Sequence, residues 1–248
     1  MSGHSKWAGI KHKKALVDAK RGKLFSNLIR ELTVAAKLGG GDPEGNPRLR
    51  AALQRARDAN MPAETIKRAI QRGTGELPGV VYEEAIYEGY GPGGVAILIE
   101  VLTDNKNRTT SEIRNIFSKR GGNLGESGCV AWMFHKKGYI TIDGSTINED
   151  ELLELVLEAG AEDMSIEEKT CDITTAPQGL EVVVAVLAQR GIAPLYKETT
   201  MIPSSYIKVD GKVAKAVLAL IETLEDHEDV QHVYANLDIP DEVVNEVS

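Results

Sequence analysis

GYITIDGSTINEDELLELVLEAGAEDMSIEEKTCDITTAPQGLEVVVAVLAQRGIAPLYKETT, residues 138–200, alternates short β-rich runs with two amphipathic segments. The runs 138–143, 163–168, 171–175 and 194–200 read as strands, and 149–159 and 177–190 read as helices. That order, β-α-β-β-α-β, is the ferredoxin-like split motif. Upstream, strand patterns at 82–90, 95–103 and 129–135 surround a helix over 109–120, which Thr109-Thr110-Ser111-Glu112 opens with capping-box spacing. Downstream, a strand at 205–210, a helix at 211–225 and a strand at 229–236 complete the unit left unfinished near residue 135. The sequence therefore predicts an interrupted α+β domain, 80–135 with 204–248, into which a second, 136–203, is inserted.

Ahead of both lies a different composition. GTGELPG, 73–79, is a linker by its Gly and Pro content. In front of it, Leu24, Leu28 and Leu32 recur every four residues with Phe25 and Ile29 until Gly39-Gly40-Gly41. Asn46 then caps a helix with Pro47 in its first turn, whose apolar stripe is Leu49, Ala52, Leu53 and Ala56. A third helix from Pro62 to about Arg72 turns Ile66, Ala69 and Ile70 inward, with Gly73 ending it. The fold class is thus α+β: a three-helix bundle over 1–79, then two ferredoxin-like domains, the third inserted into the second.

Charge divides the chain at the same place. Residues 1–75 hold sixteen Lys and Arg against six Asp and Glu, a net +10; the remainder holds thirteen against thirty-one, a net −18. Such asymmetry points to a nucleic-acid or membrane contact at the basic end. No apolar run approaches the roughly 20 residues of a membrane span, and no signal peptide opens the chain. Two cysteines, Cys129 and Cys171, form neither a disulfide framework nor a zinc pair, which suits a reducing cytoplasm.

Nucleic-acid contact is expected from Lys6, Trp7, Lys11, His12, Lys13, Lys14, Lys20, Arg21 and Lys23 in the arm, where lysines neutralise phosphates and the flat side chains stack on bases. Arg48, Arg50, Arg55 and Arg57 flank the second helix's stripe, and Lys67, Arg68 and Arg72 lie outward on the third. A sequence-reading helix would contact bases with Ala63, Glu64 and Thr65, none of which makes the bidentate guanine or adenine contacts of direct readout. Backbone or shape recognition is the better expectation.

Other motifs fail on context. Gly89, Gly91 and Gly94 match G-x-G-x-x-G, but a β-run follows instead of a helix, so a hairpin turn is expected and no dinucleotide cofactor. His227 and His232 among Asp226, Glu228 and Asp229 resemble a metal site in composition only; a solvated acidic turn is expected, with no metal ligand. No local frame places a catalytic nucleophile. The loop Asp104-Asn105-Lys106-Asn107-Arg108 reads equally as a polar site or as a turn into a helix cap. The acidic stretch 148–168 reads first as a solvated amphipathic helix that repels phosphate and offers a surface to a basic protein.

GHSKWAGIKHKK, DAKRGKLF, KLGGGDPEGNPRLR, ANMP, YEGYGPGG, LTDNKNRT, GGNLGESG, MFHKKG, TMIP and LEDHEDVQHVYANLDI, in that order, resemble the YebC family of gene-expression regulators over nearly the whole chain. Gly9 and Cys129 depart from the residues common there. The resemblance implies a three-domain cytoplasmic protein with no enzymatic reaction, no cofactor and no catalytic residues. Members are generally described as probable DNA-binding transcriptional regulators, and similar proteins are associated with translation through difficult nascent sequences such as proline runs. Three readings follow: a regulator on duplex DNA; a translation factor on ribosomal RNA and the ribosome; and, third, a ligand sensor or enzyme on the ferredoxin-like units.

Overall fold

The computed structural model describes residues 21–145, 148–167 and 170–239. They form two compact units, one of residues 21–129 with 215–233 and one of 130–214 with 234–239. No helix among them is long and apolar enough to cross a membrane.

The first unit opens with α1 (Arg21–Gly39), α2 (Pro47–Asp58) and α3 (Ala63–Thr74). Asn46 caps α2 as expected, its side chain accepting the Leu49 amide at 3.1 Å while its Nδ2 donates to the carbonyls of Ala35 and Gly40. The α1–α2 turn is thereby stitched to both helices. Leu49, Ala52, Leu53 and Ala56 join Leu28, Leu32, Ile66 and Ala69 in one apolar core, whereas Leu24 is exposed. Gly73 does not end α3. It lies inside the helix, where a Cβ would stand 2.3 Å from the Thr33 carbonyl oxygen of α1. Gly75, at φ +83°, closes the helix instead.

Next come β1 (Glu83–Tyr90), β2 (Ala96–Thr103), α4 (Lys106–Lys119) and the two-residue β3 (Asn123–Leu124). β1 and β2 pair antiparallel across the predicted glycine hairpin, with Tyr90 opposite Ala96. The cap of α4 is Asn105, which accepts the Arg108 amide at 3.1 Å, so the helix starts three residues before the Thr109 box. The strand expected at 129–135 does not form where placed: a short 3-10 turn occupies Ala131–Met133, Phe134 and His135 open the following strand, and β3 is the strand beside β1. Glu88 accounts for the departure. Its carbonyl accepts the Gly125 amide and its carboxylate the Gly128 amide, which folds 125–128 back over β1.

The second unit follows the split motif: β4 (Phe134–Asp143), α5 (Glu149–Glu158), β5 (Ala161–Glu167), β6 (Thr170–Thr175), α6 (Leu180–Gln189) and β7 (Pro194–Pro203), in sheet order β5-β6-β4-β7. Ile140, Ile142, Cys171 and Ile173 pack against Leu152, Val156, Val183 and Leu187 of the helices. The strand expected at 205–210 shrinks to β8 (Ile207–Lys208). Then α7 (Gly211–Glu225) leads to β9 (Val230–Ala235), which completes the order β3-β1-β2-β9, and to β10 (Leu237–Asp238), parallel to β8.

The turn before β9 is not a solvated acidic loop. Asp229 is 1 % exposed. Its Oδ2 accepts from Thr109 Oγ1 (2.6 Å), Arg108 Nη2 (2.9 Å) and Thr103 Oγ1 (3.2 Å), and its Oδ1 pairs with Arg30 Nη2 of α1 at 3.3 Å. Arg30 also donates to the Glu228 carbonyl and lies 5.5 Å from the centroid of the Tyr82 ring. One carboxylate thus joins the bundle, β2 and α4. Burial acts to raise its pKa, but the Thr109 and Arg108 hydrogen bonds and the charges of Arg30 and Arg108 hold it below the usual carboxylate range.

A carboxyl depressed by folding stabilises above its unfolded pKa, about 4, and that stability is lost as pH falls through the folded value. Asp229→Asn should cost roughly 2–4 kcal/mol at pH 7 in urea unfolding, below the range for a fully buried pair because Arg108 is partly exposed. The gap from the parent should narrow as pH drops below about 4; a gap constant with pH contradicts this role. Gly73→Ala should cost about 1–3 kcal/mol despite alanine's better helix propensity, because the α1–α3 approach has no room for a methyl. An unchanged midpoint would exclude that packing.

Candidate nucleic-acid interface

Of the basic residues expected to meet nucleic acid, Lys6, Trp7, Lys11, His12, Lys13, Lys14 and Lys20 lie outside the described residues, and so does the Arg21 side chain. Lys23, in the first turn of α1, has a buried ammonium nitrogen. The cations of α2 and α3 separate into two groups by what they touch.

Arg48 is tied inward. It meets Glu31 of α1 with two nitrogens, at 2.9 and 3.0 Å, and Glu84 of β1 at 2.7 Å. The Glu31 hydrogen bond, set against burial and aided by Glu84, holds the Arg48 guanidinium firmly charged. Burial acts to raise the Glu31 pKa, but the Arg48 hydrogen bond and charge, with Arg55, hold it down. Arg55 stands 3.8 Å from Glu31, and Arg68 pairs with Glu64 one turn away at 3.2 Å. A bidentate pair between helices organises the bundle and leaves that guanidinium little capacity for phosphate.

Arg50, Arg57, Lys67 and Arg72 are exposed and make no ion pair among the described residues. Arg50 and Arg57 are seven residues apart, so they share one stripe of α2 about 10 Å along the helix. The stem of Arg72 lies over the linker, where a Cβ on Gly79 would be 3.0 Å from its Cγ. Lys37, exposed in the last turn of α1, belongs with this group and escaped the sequence reading. It stands alone among small and apolar residues, so only helical spacing could have marked it.

Glu112, His227 and Asp229 bring possible metal-ligating atoms within 4.8 Å of one another. The lone pairs of Asp229 and of His227 Nδ1 are already engaged. Asp229 serves two guanidinium groups and two hydroxyls. His227 Nδ1 accepts the Asp229 amide at 3.1 Å, so Nε2 carries the proton toward Glu112 at 2.8 Å. A cation here would have to displace both arginines and reverse the tautomer. The thiols are no better disposed toward chemistry: burial pushes Cys171 up to about 12, and burial with the Glu88 charge also raises Cys129. The Asp104–Arg108 loop belongs to the Asp229 network, with Arg108 bridging Asp104 and Asp229.

Residues 5–76 match the family model described as the TACO1/YebC protein N-terminal domain, and 82–237 match the TACO1/YebC second and third domain. A protein of Dictyoglomus turgidum named "Probable transcriptional regulatory protein" is 59 % identical over 249 residues, covering both chains completely. One of the same name from Natranaerobius thermophilus is 60 % identical over 98 % of this chain and 99 % of its own. The crystal structure of a conserved hypothetical protein from Aquifex aeolicus, 50 % identical, superposes with a TM-score of 0.78 over 92 % of this chain and 95 % of that one. Matched from its basic helices through its last strands, the chain belongs to the TACO1/YebC family.

Proposed function

We propose that this chain is a non-enzymatic, nucleic-acid-binding regulator of gene expression that grips the phosphate backbone of duplex DNA. In this reading residues 1–79 form the gripping domain, and the two α+β parts are a negatively charged scaffold in the cytoplasm. The observation that carries it is the division of the cations: in a chain of net charge −8, Arg50, Arg57, Lys67 and Arg72 are exposed without carboxylate partners among the described residues, on two helices that both pack on α1. Phosphates take such cations and release counterions, which supplies affinity without sequence information. The names of the relatives support a regulatory role.

Ribosomal RNA is the second reading, favoured by the first turn of α3. Glu64 there is exposed and paired with Arg68, in place of a bidentate base reader. Recognition through phosphate and shape serves ribosomal RNA as readily as a promoter. Cosedimentation with purified ribosomes despite excess duplex selects translation; retention on one promoter fragment over random duplex selects transcription.

If the arm and bundle together neutralise about six phosphates, log affinity for duplex against log salt has a slope of about −5. The triple variant Arg50→Ala, Arg57→Ala, Lys67→Ala should flatten that slope by about 3. Arg48→Ala should lower stability and leave the slope unchanged. Deleting residues 1–20 should weaken binding across all sequences with the helical circular dichroism intact. Parent-like affinity and slope in both the triple variant and the deletion would refute the basic end as the grip.

A further inference from the structure

The stretch 105–125, NKNRTTSEIRNIFSKRGGNLG, carries five Lys and Arg against one Glu, whereas the rest of residues 76–248 carries eight against thirty acids. Most of it is α4, in the same compact unit as the basic helices. A helix N-terminus favours negative charge, yet α4 has no acid in its first turn and only Glu112 beyond it.

α4 is fastened along one side. Ile113 and Phe117 are fully buried, Tyr87 Oη of β1 and Thr110 Oγ1 meet at 2.8 Å, and a Cβ on Gly89 would stand 2.9 Å from the Phe117 ring. Two of its cations are occupied: Lys106 pairs with Glu83 at 2.9 Å, and Arg108 with Asp104 and Asp229. The one carboxylate is engaged as well, Glu112 Oε2 lying 2.8 Å from His227 Nε2.

The opposite side is a single stripe. Ser111, Arg114, Asn115, Ser118 and Lys119 follow the i, i+3, i+4, i+7, i+8 spacing that makes neighbours on a helix, and all five are exposed. Arg114 and Lys119 form no ion pair among the described residues. Asn115 and Ser118 lie between them. Guanidinium, ammonium, carboxamide and hydroxyl are the side-chain donors from which phosphate contacts are built. Lys119 in the last turn also suits the helix dipole. That does not account for Arg114 in mid-helix, nor for a helix so poor in acid within so acidic a part of the chain.

We propose that this stripe of α4 is a second backbone contact for duplex DNA, outside the basic end. Arg114 and Lys119 each take a phosphate, and Asn115 and Ser118 hydrogen-bond the phosphate oxygens between them. The ligand rests on the reading of the basic helices as a duplex grip; the site and its residues are separate from theirs.

A labelled twenty-base-pair duplex of random sequence, titrated with the full chain across a salt series, reads the contact by anisotropy. Arg114→Ala with Lys119→Ala should flatten the slope of log affinity against log salt by about 2 and weaken binding at least about tenfold near 0.1 M salt. The urea midpoint should stay that of the parent, since both side chains are exposed and unpaired. Arg114→Lys with Lys119→Arg should keep the slope. Arg190→Ala with Lys208→Ala removes the same charge from exposed positions of the second unit and should also leave it unchanged. A parent-like slope in the α4 double variant, or an equal loss in the Arg190 and Lys208 control, overturns the α4 contact whatever the basic-end variants do. A flattened slope in the α4 variant, with parent-like behaviour of the bundle triple variant and the arm deletion, sinks the basic-end grip alone. A parent that ignores duplex DNA overturns both.

Discussion

The first compact unit depends on one buried carboxylate. Asp229 lies at the end of a short turn between α7 and β9, and its two oxygens are shared among Arg30 of α1, Arg108 and Thr109 of α4, and Thr103 of β2. Desolvating such a group is costly unless its acceptor sites are met, and here each oxygen has a charged donor. Because the donors come from three elements distant in sequence, satisfying the charge also fixes the bundle against the sheet. Asn27 adds a neutral bond of the same kind to the Val230 carbonyl, at 3.1 Å.

The same economy sorts the remaining cations. Arg30, Arg48 and Arg108 are spent on carboxylates within the unit, and their strength lies in geometry: bidentate or multiply bonded guanidinium groups held by partly buried acids. Arg50 and Arg57, on the same helix as Arg48, and Lys67 and Arg72, on α3, form no ion pair with an acid among the described residues. Net charge cannot tell these groups apart, whereas partners and burial do. A basic surface is therefore best counted by the cations left over once internal pairs are formed.

Much of this was legible from local pattern. The Asn46–Pro47 start of α2, its Leu49/Ala52/Leu53/Ala56 stripe, the hairpin at 91–95 and the β-α-β-β-α-β order of the second unit are encoded within a few residues, by caps, turns and periodicity. Where local pattern misled, the reason was a distant partner. Gly73 looks like a helix stop, yet it is a point of contact with the Thr33 carbonyl. Thr109 looks like part of a capping box, yet its hydroxyl serves Asp229, 120 residues away. The 129–135 segment has strand composition, but Glu88 folds the chain just before it, and the ten-residue β4 begins only at Phe134.

The sequence by itself determined the α+β class, the helical bundle, the concentration of positive charge at the front and the family resemblance, because composition, periodicity and ordered motifs are properties of neighbours along the chain. Tertiary structure alone decided which arginines are occupied by acids among the described residues, that an acidic turn holds a buried carboxylate, and that β4 and β7, some sixty residues apart, lie side by side. Those outcomes depend on desolvation and on the geometry of partners brought together by folding, and no spacing along the chain records either.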